Sequence, residues 1–397
     1  MATTKITNPD LFDITANTAL RLPSGSTEQR PTSPSTGEWR YNTTTNLVEF
    51  YDGADWRELQ SEDIPPIPSE NFNTVLYDGT SATHAITGVG FQPDWVWCKK
   101  RNSAQDHGAV DSVRGVTKVV YPNLSSAEST DANSVTAFGT DGFTLGSSGD
   151  FNQNSDTYVS WSWKAGTTSG ISAGSQTITP SSYSINTTAG FGIYKWSRTG
   201  ASTTDYFSHG LGATPTMAIQ KRTDGVQDWY VNFTVRDGSN DRMHLNKTDG
   251  LTDDSTTLPT ATNYYPKSPE TGDYVTYLFT PIEGFSKFGK YYGNNNADGT
   301  FIYTGFKPGF VLLKRIDSGY SWAIVDSKRS TSGFNLTDKY LIPDTSAAEQ
   351  SASVDLLSNG FKLRSTAGGF NASATYVYMA FAEEPLVSSN NLPATAR

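Results

Sequence analysis

Along most of the chain, large apolar side chains alternate with polar ones in short runs, and Gly, Asn, Asp or Pro interrupts each run. A period of two, filled by Tyr, Phe, Trp, Val and Thr, predicts β-strands whose side chains point alternately to the two faces of a sheet. Some runs depart from strict alternation. Residues 158–163, 274–279 and 376–381 carry large side chains on both faces, and residues 310–313 are apolar throughout. Such runs predict central strands of packed sheets. The pair Lys314-Arg315 is expected to end burial after the last of them. A helical pattern is confined to residues 8–20, with Asn8 as cap and Pro9 at the first position.

The same frame is written three times. Pro93, Pro215 and Pro308 each precede a Lys by six residues, at Lys99, Lys221 and Lys314. Eight residues beyond each Lys stand His107, Trp229 and Trp322, and twelve beyond stand Asp111, Phe233 and Asp326. Each copy closes on one of the Tyr-led runs, at Tyr158, Tyr274 and Tyr376. Agreement at several registers predicts three related units. Pro suits the start of each strand because it fixes φ and has no N–H to donate.

These copies order the chain. Residues 1–22 are polar, with Leu11, Phe12, Leu20 and Leu22 among their few large apolar residues, and are expected to be an anchoring segment ordered by a partner. Residues 23–60 read as a small β-meander behind a turn-rich lead containing Pro23, Pro31 and Pro34. Trp39, Tyr41, Phe50, Tyr51 and Trp56 crowd into a module of marginal size, which predicts packing on copies of itself. The prolines at 65, 66 and 68 make 61–70 a stiff linker. Sandwich units are then expected at 71–166, 185–283 and 284–397. A Gly/Ser/Thr-rich linker, 167–184, separates the first two; the last two have none and are expected to pack into one body. The fold class is all-β: a small N-terminal β-meander followed by tandem antiparallel β-sandwich units, jelly-roll or lectin-like.

Composition narrows the function. With 20 Tyr, 20 Phe and 9 Trp against 18% charged residues, the 397-residue chain has the content of a β protein. Its formal charge is −10 and its longest basic cluster is Lys99-Lys100-Arg101, which excludes a concentrated positive face for nucleic acid. The lone Cys98 rules out an internal disulfide framework and offers no metal spacing. No apolar run reaches membrane-span length, so no membrane insertion is expected. No secretory signal is read before the first strand, and assembly inside a cell before release is expected.

Two stretches resemble known families. Leu22-Pro23, Gly25, Gln29-Arg30-Pro31, Pro34, Gly37 and Arg40-Tyr41-Asn42, followed by Phe50-Tyr51-Asp52-Gly53 and Trp56, are similar to a short module of tail-fibre and other virion proteins of tailed bacteriophages. Residues 189–385 resemble a repeated phage-associated β domain of unassigned function. That likeness is carried by Tyr303-Thr304-Gly305-Phe306, Pro308, Lys314-Arg315, Asn359-Gly360-Phe361-Lys362-Leu363 and Met379-Ala380-Phe381-Ala382-Glu383. The first unit follows the frame through Asp141-Gly142-Phe143-Thr144-Leu145; the second lacks this element and has Phe233 where the others have Asp. The resemblance implies a virion protein assembled in the host bacterial cytoplasm. It further implies contacts to other virion proteins through the N-terminal region, a homotrimer, and host-surface polysaccharide as ligand. Tail-fibre or receptor-binding protein is the reading it favours. A capsid decoration protein (head fibre) or tail adaptor is the alternative, and a polysaccharide depolymerase a third.

The chemistry expected of a catalyst is missing from the sequence pattern. Asp111 with Arg114 and Asp326 with Arg329 read as structural ion pairs, since a catalytic pair would not be expected in two copies of a module. His84, His107, His209 and His244 are scattered without zinc spacing. The string Gly170-Ile171-Ser172-Ala173-Gly174 lacks the preceding strand and following helix of a nucleophile elbow. The expectation is therefore no enzyme, no metal and no cofactor. Ligand-binding candidates are aromatic: Trp196, Trp229, Tyr264, Tyr265, Tyr291 and Tyr292 could offer flat faces to sugar rings. Neighbouring tyrosines on a strand face opposite ways, so at most one of each pair is buried against the core.

Overall fold

The computed structural model describes residues 22–59, 66–171, 176–200, 205–254, 257–267, 270–317, 319–331 and 335–385. The expected anchoring segment and helix before residue 22, residues 61–65 of the linker, and Ser172 lie outside them. The chain divides into two compact units, Met1–Ile64 and Pro65–Arg397. Its described residues are almost all strand, turn and loop, and the single α-helical turn is Gly149–Asn152.

The first unit is a four-stranded sheet, Ser24–Gly25, Trp39–Asn42, Leu47–Tyr51 and Trp56–Leu59, in that spatial order. The first pair is parallel and the others are antiparallel. One face carries Arg40, Asn42 and Glu49, which are buried under the lead segment. Glu49 receives hydrogen bonds from Arg30 Nε at 3.1 Å and Asn42 Nδ2 at 3.1 Å, and Arg40 Nε lies 3.3 Å away. Three of the residues that carry the resemblance, Arg30, Arg40 and Asn42, thus converge on one carboxylate. Gln29 caps Ser26 N–H at 2.8 Å, and a side chain at Gly25 would run into Arg40 and Gln29.

The second unit holds all three repeats. Each builds an inner sheet from four strands taken in chain order. They are Phe72–Asp78, Trp95–Lys100, Gly108–Asp111 and Thr157–Trp163 in the first repeat. In the second they are Phe191–Arg198, Met217–Arg222, Tyr230–Phe233 and Gly272–Phe279. The third uses Ser286–Tyr292, Phe306–Arg315, Ala323–Asp326 and Thr375–Pro385. In every repeat the spatial order is first, fourth, second, third, all antiparallel, so the Tyr-led and Pro-led runs are the central strands. The second repeat extends its sheet with Ser182–Asn186 at one edge and Asp241–His244 and Thr252–Asp253 at the other.

Two segments expected as linker belong to this body. Pro66 and Pro68 are buried, and Pro68–Glu70 forms a 3-10 turn rather than a stiff connector. Ser182–Asn186 is a strand, and Thr167 and Ile185 exchange backbone hydrogen bonds at 2.9 and 3.0 Å.

Both faces of each inner sheet are covered. The outer faces pack under smaller sheets: His84–Ile86, Val135–Gly139 and Gly142–Leu145 in the first repeat, and a four-stranded layer in the third. Among its described residues the second has only Phe207–Ser208 paired with Asn263–Tyr264. The Asp-Gly-Phe and Asn-Gly-Phe elements lie in these layers. A Cβ on Gly142 would sit 2.0 Å from the Ile86 carbonyl and one on Gly360 2.1 Å from that of Ile302, so only Gly lets the strands close.

The inner faces share a single aromatic core. Trp95 stacks on Tyr277 at 4.2 Å, Phe72 on Phe381 at 5.2 Å, and Phe279 meets Phe381 at 5.9 Å, so each repeat touches both others. Such rings bury about 150–250 Å² each and dominate a core's stability. Repeats two and three do share a body, as the absent spacer implies, and repeat one completes it.

Candidate functional site

The residues that mark the repeat frame are contacts between repeats. Lys99 Nζ donates to the carbonyls of Lys100 (2.8 Å) and Ser346 (3.3 Å). Lys221 donates to Ser125, Arg222 and Gln227, and Lys314 to Thr248, Asp249 and Arg315, all at 2.8–3.4 Å. Repeat one therefore reaches into repeat three, two into one, and three into two, which closes a ring. The expectation that the Lys-Arg pair ends burial is corrected here: all three lysines are fully buried. A carbonyl cage assembled from two repeats satisfies the ammonium, and burial pushes each of them down to about 8.

The next register follows the same cycle. His107 bonds through Nε2 to the Ile342 carbonyl at 3.0 Å, Trp229 Nε1 donates to Tyr121 at 2.9 Å, and Trp322 Nε1 to His244 at 2.8 Å. Their backbone N–H groups are capped by Asn123, Asn246 and Asp344 at 2.9, 2.9 and 3.0 Å. His107 is buried, with Nδ1 accepting from Trp97 Nε1 at 3.0 Å; burial holds it well below the usual histidine value and therefore neutral.

Asp111 and Asp326 are buried and paired with Arg114 and Arg329 at 2.6 Å each. Glu128 and Glu349 extend these pairs at 3.0 and 3.3 Å. They are welded into the ring and face no solvent, so they are structural groups. Burial pushes the Cys98 thiol up to about 12, leaving it protonated.

The aromatic candidates divide by face. Trp196 and Tyr291 are buried and occupy equivalent places: Tyr77 on Tyr158, Trp196 on Tyr274 and Tyr291 on Tyr376 are parallel stacks at 5.2, 4.7 and 4.8 Å in the three outer cores. Trp229 is spent in the ring, and Tyr264 is buried against Phe207. These four offer no face to a ligand, because the sheet register turns them inward. Tyr265 is half-buried against Tyr206, and Tyr292 is 61% exposed. The six residues do not form one site.

Other groups are better placed at the surface. A cleft of about 450 Å³ lies where repeats two and three meet, lined by Asn246, Lys247, Thr248, Asp249, Asp344 and Thr345. Its wall is amide, hydroxyl, ammonium and carboxylate. His244 Nδ1 lies 2.5 Å from Asp249 Oδ2, and burial raises the Asp344 carboxyl despite its bonds to Ser321 and the Trp322 N–H. Elsewhere in the third repeat, Phe301, Tyr303 and Tyr320 are exposed; Lys287 stands over Tyr303 at 5.0 Å and Arg315 over Tyr320 at 4.8 Å. Sequence reasoning passed over the cleft because its caps fall at unequal distances from the Trp and His positions. Among the described residues no group of three His, Cys, Asp or Glu side chains is placed to hold a metal ion, and no helix is long and apolar enough to cross a membrane.

The body is thus a single-chain ring of three sandwich units around a common aromatic core. Residues 67–385 match the model of a family described as a domain of unknown function, DUF7483, and the chain belongs to that family. No curated protein and no solved structure matches it.

Proposed function

We propose that this chain is a non-enzymatic component of a bacteriophage particle, a tail-fibre or receptor-binding protein that attaches to host-surface polysaccharide. The observation that carries the reading is the N-terminal sheet: Arg30, Arg40 and Asn42, all from the string that resembles phage fibre modules, meet around Glu49 in a unit of their own. Through this region the protein would join other virion proteins and assemble as a homotrimer, leaving the body to face the host. The cleft at 246–249 and 344–345 supplies hydrogen-bonding groups of the kind that sugar hydroxyls use, and Tyr292 and Tyr303 supply exposed rings. The test is binding of the full chain to host envelope glycans and to whole host cells. Saturable binding supports attachment, and none under native conditions removes it.

A capsid decoration role is the second reading, and the closed ring favours it. Three like units around one core repeat similar surfaces in a cycle, as a three-fold lattice position requires. Electron microscopy of particles with labelled protein separates the two: density on the tail supports attachment, density across the capsid supports decoration.

A further inference from the structure

The N-terminal sheet is inverted. Its charged and amide side chains, Arg40, Asn42 and Glu49, are the buried ones, and no apolar side chain among residues 22–59 is fully buried. The cross-strand register assembles the opposite face in two rows: Trp39, Phe50 and Arg57, then Tyr41, Val48 and Leu59. Trp39 is 49% exposed and stacks on Phe50 at 5.5 Å, and Leu59 is also exposed. A sheet this small, with its apolar face open, lacks the burial that stabilises a free unit.

We propose that this face is a self-association surface whose occupant is the same face of a second copy of the chain. The rows support that choice. The first places an indole on one side strand and on the other the Arg57 guanidinium, paired with Asp52 of its own copy at 2.7 Å yet still 58% exposed, with Phe50 between. In a closed assembly the Arg57 edge of one copy meets the Trp39 edge of the next, a cation–π pairing that the face makes with itself. The body adds a second argument, because its ring already closes through Lys99, Lys221 and Lys314 and needs no further copy to complete its core. The inference rests on the oligomeric part of the proposed function and is independent of host attachment.

The experiment uses the full chain. Light scattering after size exclusion, over a wide concentration range, should report an oligomer, and Trp39→Ser with Phe50→Ser should report a monomer whose body retains its unfolding transition. Because the double variant could also unfold the module, a second measurement uses single cysteines, with Cys98 buried and unreactive. Val48→Cys, at the middle of the face, should form a disulfide between copies on mild oxidation, while Glu28→Cys on the covering lead should not. A monomeric wild-type chain, or equal cross-linking at both positions, overturns the proposal. Either result leaves glycan binding to be judged on its own assay.

Discussion

Trp161 of the first repeat donates its indole N–H to the buried Asp326 carboxylate of the third at 3.0 Å. Tyr277 of the second repeat makes the matching bond to Asp111 of the first at 2.7 Å. The corresponding positions are held by Met379 in the third repeat and Phe233 in the second, and both lie in the shared core. Where the acid is lost, its donor is lost with it. Leu251 likewise stands where the other repeats have Glu128 and Glu349: all three backbone N–H groups bond the equivalent carbonyl of the next repeat. One of three polar junctions has been replaced by an apolar one on both sides, the exchange that burial energetics tolerates.

Removing one side only should not be tolerated. Asp326→Ala leaves Arg329 buried with Glu349 and the Ile324 carbonyl as its remaining partners and orphans the Trp161 N–H, a loss expected to be about 3–5 kcal/mol. Asp326→Leu combined with Arg329→Met removes both charges and should recover at least half of it. Urea unfolding followed by tryptophan fluorescence measures both; a double variant no more stable than the single would refute the pairing.

The caged lysines set an alkaline signature. Each ammonium titrates at about 8 when folded, against about 10.4 in an unfolded chain. Between those values the unfolded chain holds more protons, so stability rises with pH. Above about 10 the buried Tyr277, Tyr194 and Tyr291, pushed well above their ordinary value by burial, reverse the sign, because the unfolded tyrosines ionise first. A stability maximum is expected between about pH 9 and 10. Lys314→Met should flatten the rise, at the cost of orphaning the Thr248 and Asp249 carbonyls.

On the acid side the sign is set by His107. Its folded value lies well below the ordinary one, so its contribution is fully present above about pH 6.5 and falls as the unfolded imidazole gains a proton below that. His209, held down by burial although it bonds the Thr260 carbonyl, acts in the same direction. His107→Gln should reduce the slope of unfolding midpoint against pH between about 6.5 and 5. An unchanged slope would show that the carboxylates alone govern it.

The strand frame was legible because the spacing from Pro to Lys to the acid position is fixed by a single hairpin, with no loop long enough to shift it. The ring was not. Ser346 lies 247 residues from Lys99, and the loops that bring the cages together differ in length from repeat to repeat. For the same reason Lys314 looked like the end of burial: it completes its cage with another repeat's carbonyls. The aromatic candidates do not gather into one site because composition shows where rings occur, while register decides which way they face. Phe301 and Tyr303, exposed on one short strand around the buried Ile302, could have been found by alternation.

Glu49 should govern the N-terminal sheet alone. Burial pushes its carboxyl up, but the Arg30 and Asn42 hydrogen bonds and the Arg30 and Arg40 charges outweigh this and leave it lowered. Its contribution is present above about pH 4.3 and lost as pH falls through the folded value. Glu49→Gln should cost about 3 kcal/mol locally. Hydrogen exchange should rise across 22–59 while the body keeps its protection; protection retained in the sheet would remove Glu49 from that role.

Adjacent tyrosines give the sharpest separation of binding from packing. Tyr291 donates its hydroxyl to the Phe370 carbonyl at 2.8 Å and stacks on Tyr376, while Tyr292 points to solvent. Tyr291→Ala should therefore cost about 3–5 kcal/mol, as large core truncations do. Tyr292→Ala should stay within about 0.5 kcal/mol of the parent. If rings at this surface hold a glycan, Tyr292→Ala and Tyr303→Ala should weaken binding to host envelope polysaccharide at unchanged stability. Asp344→Asn would weaken it if the cleft between repeats two and three is the contact instead. Weakening by neither set would turn these surfaces over to packing within the particle.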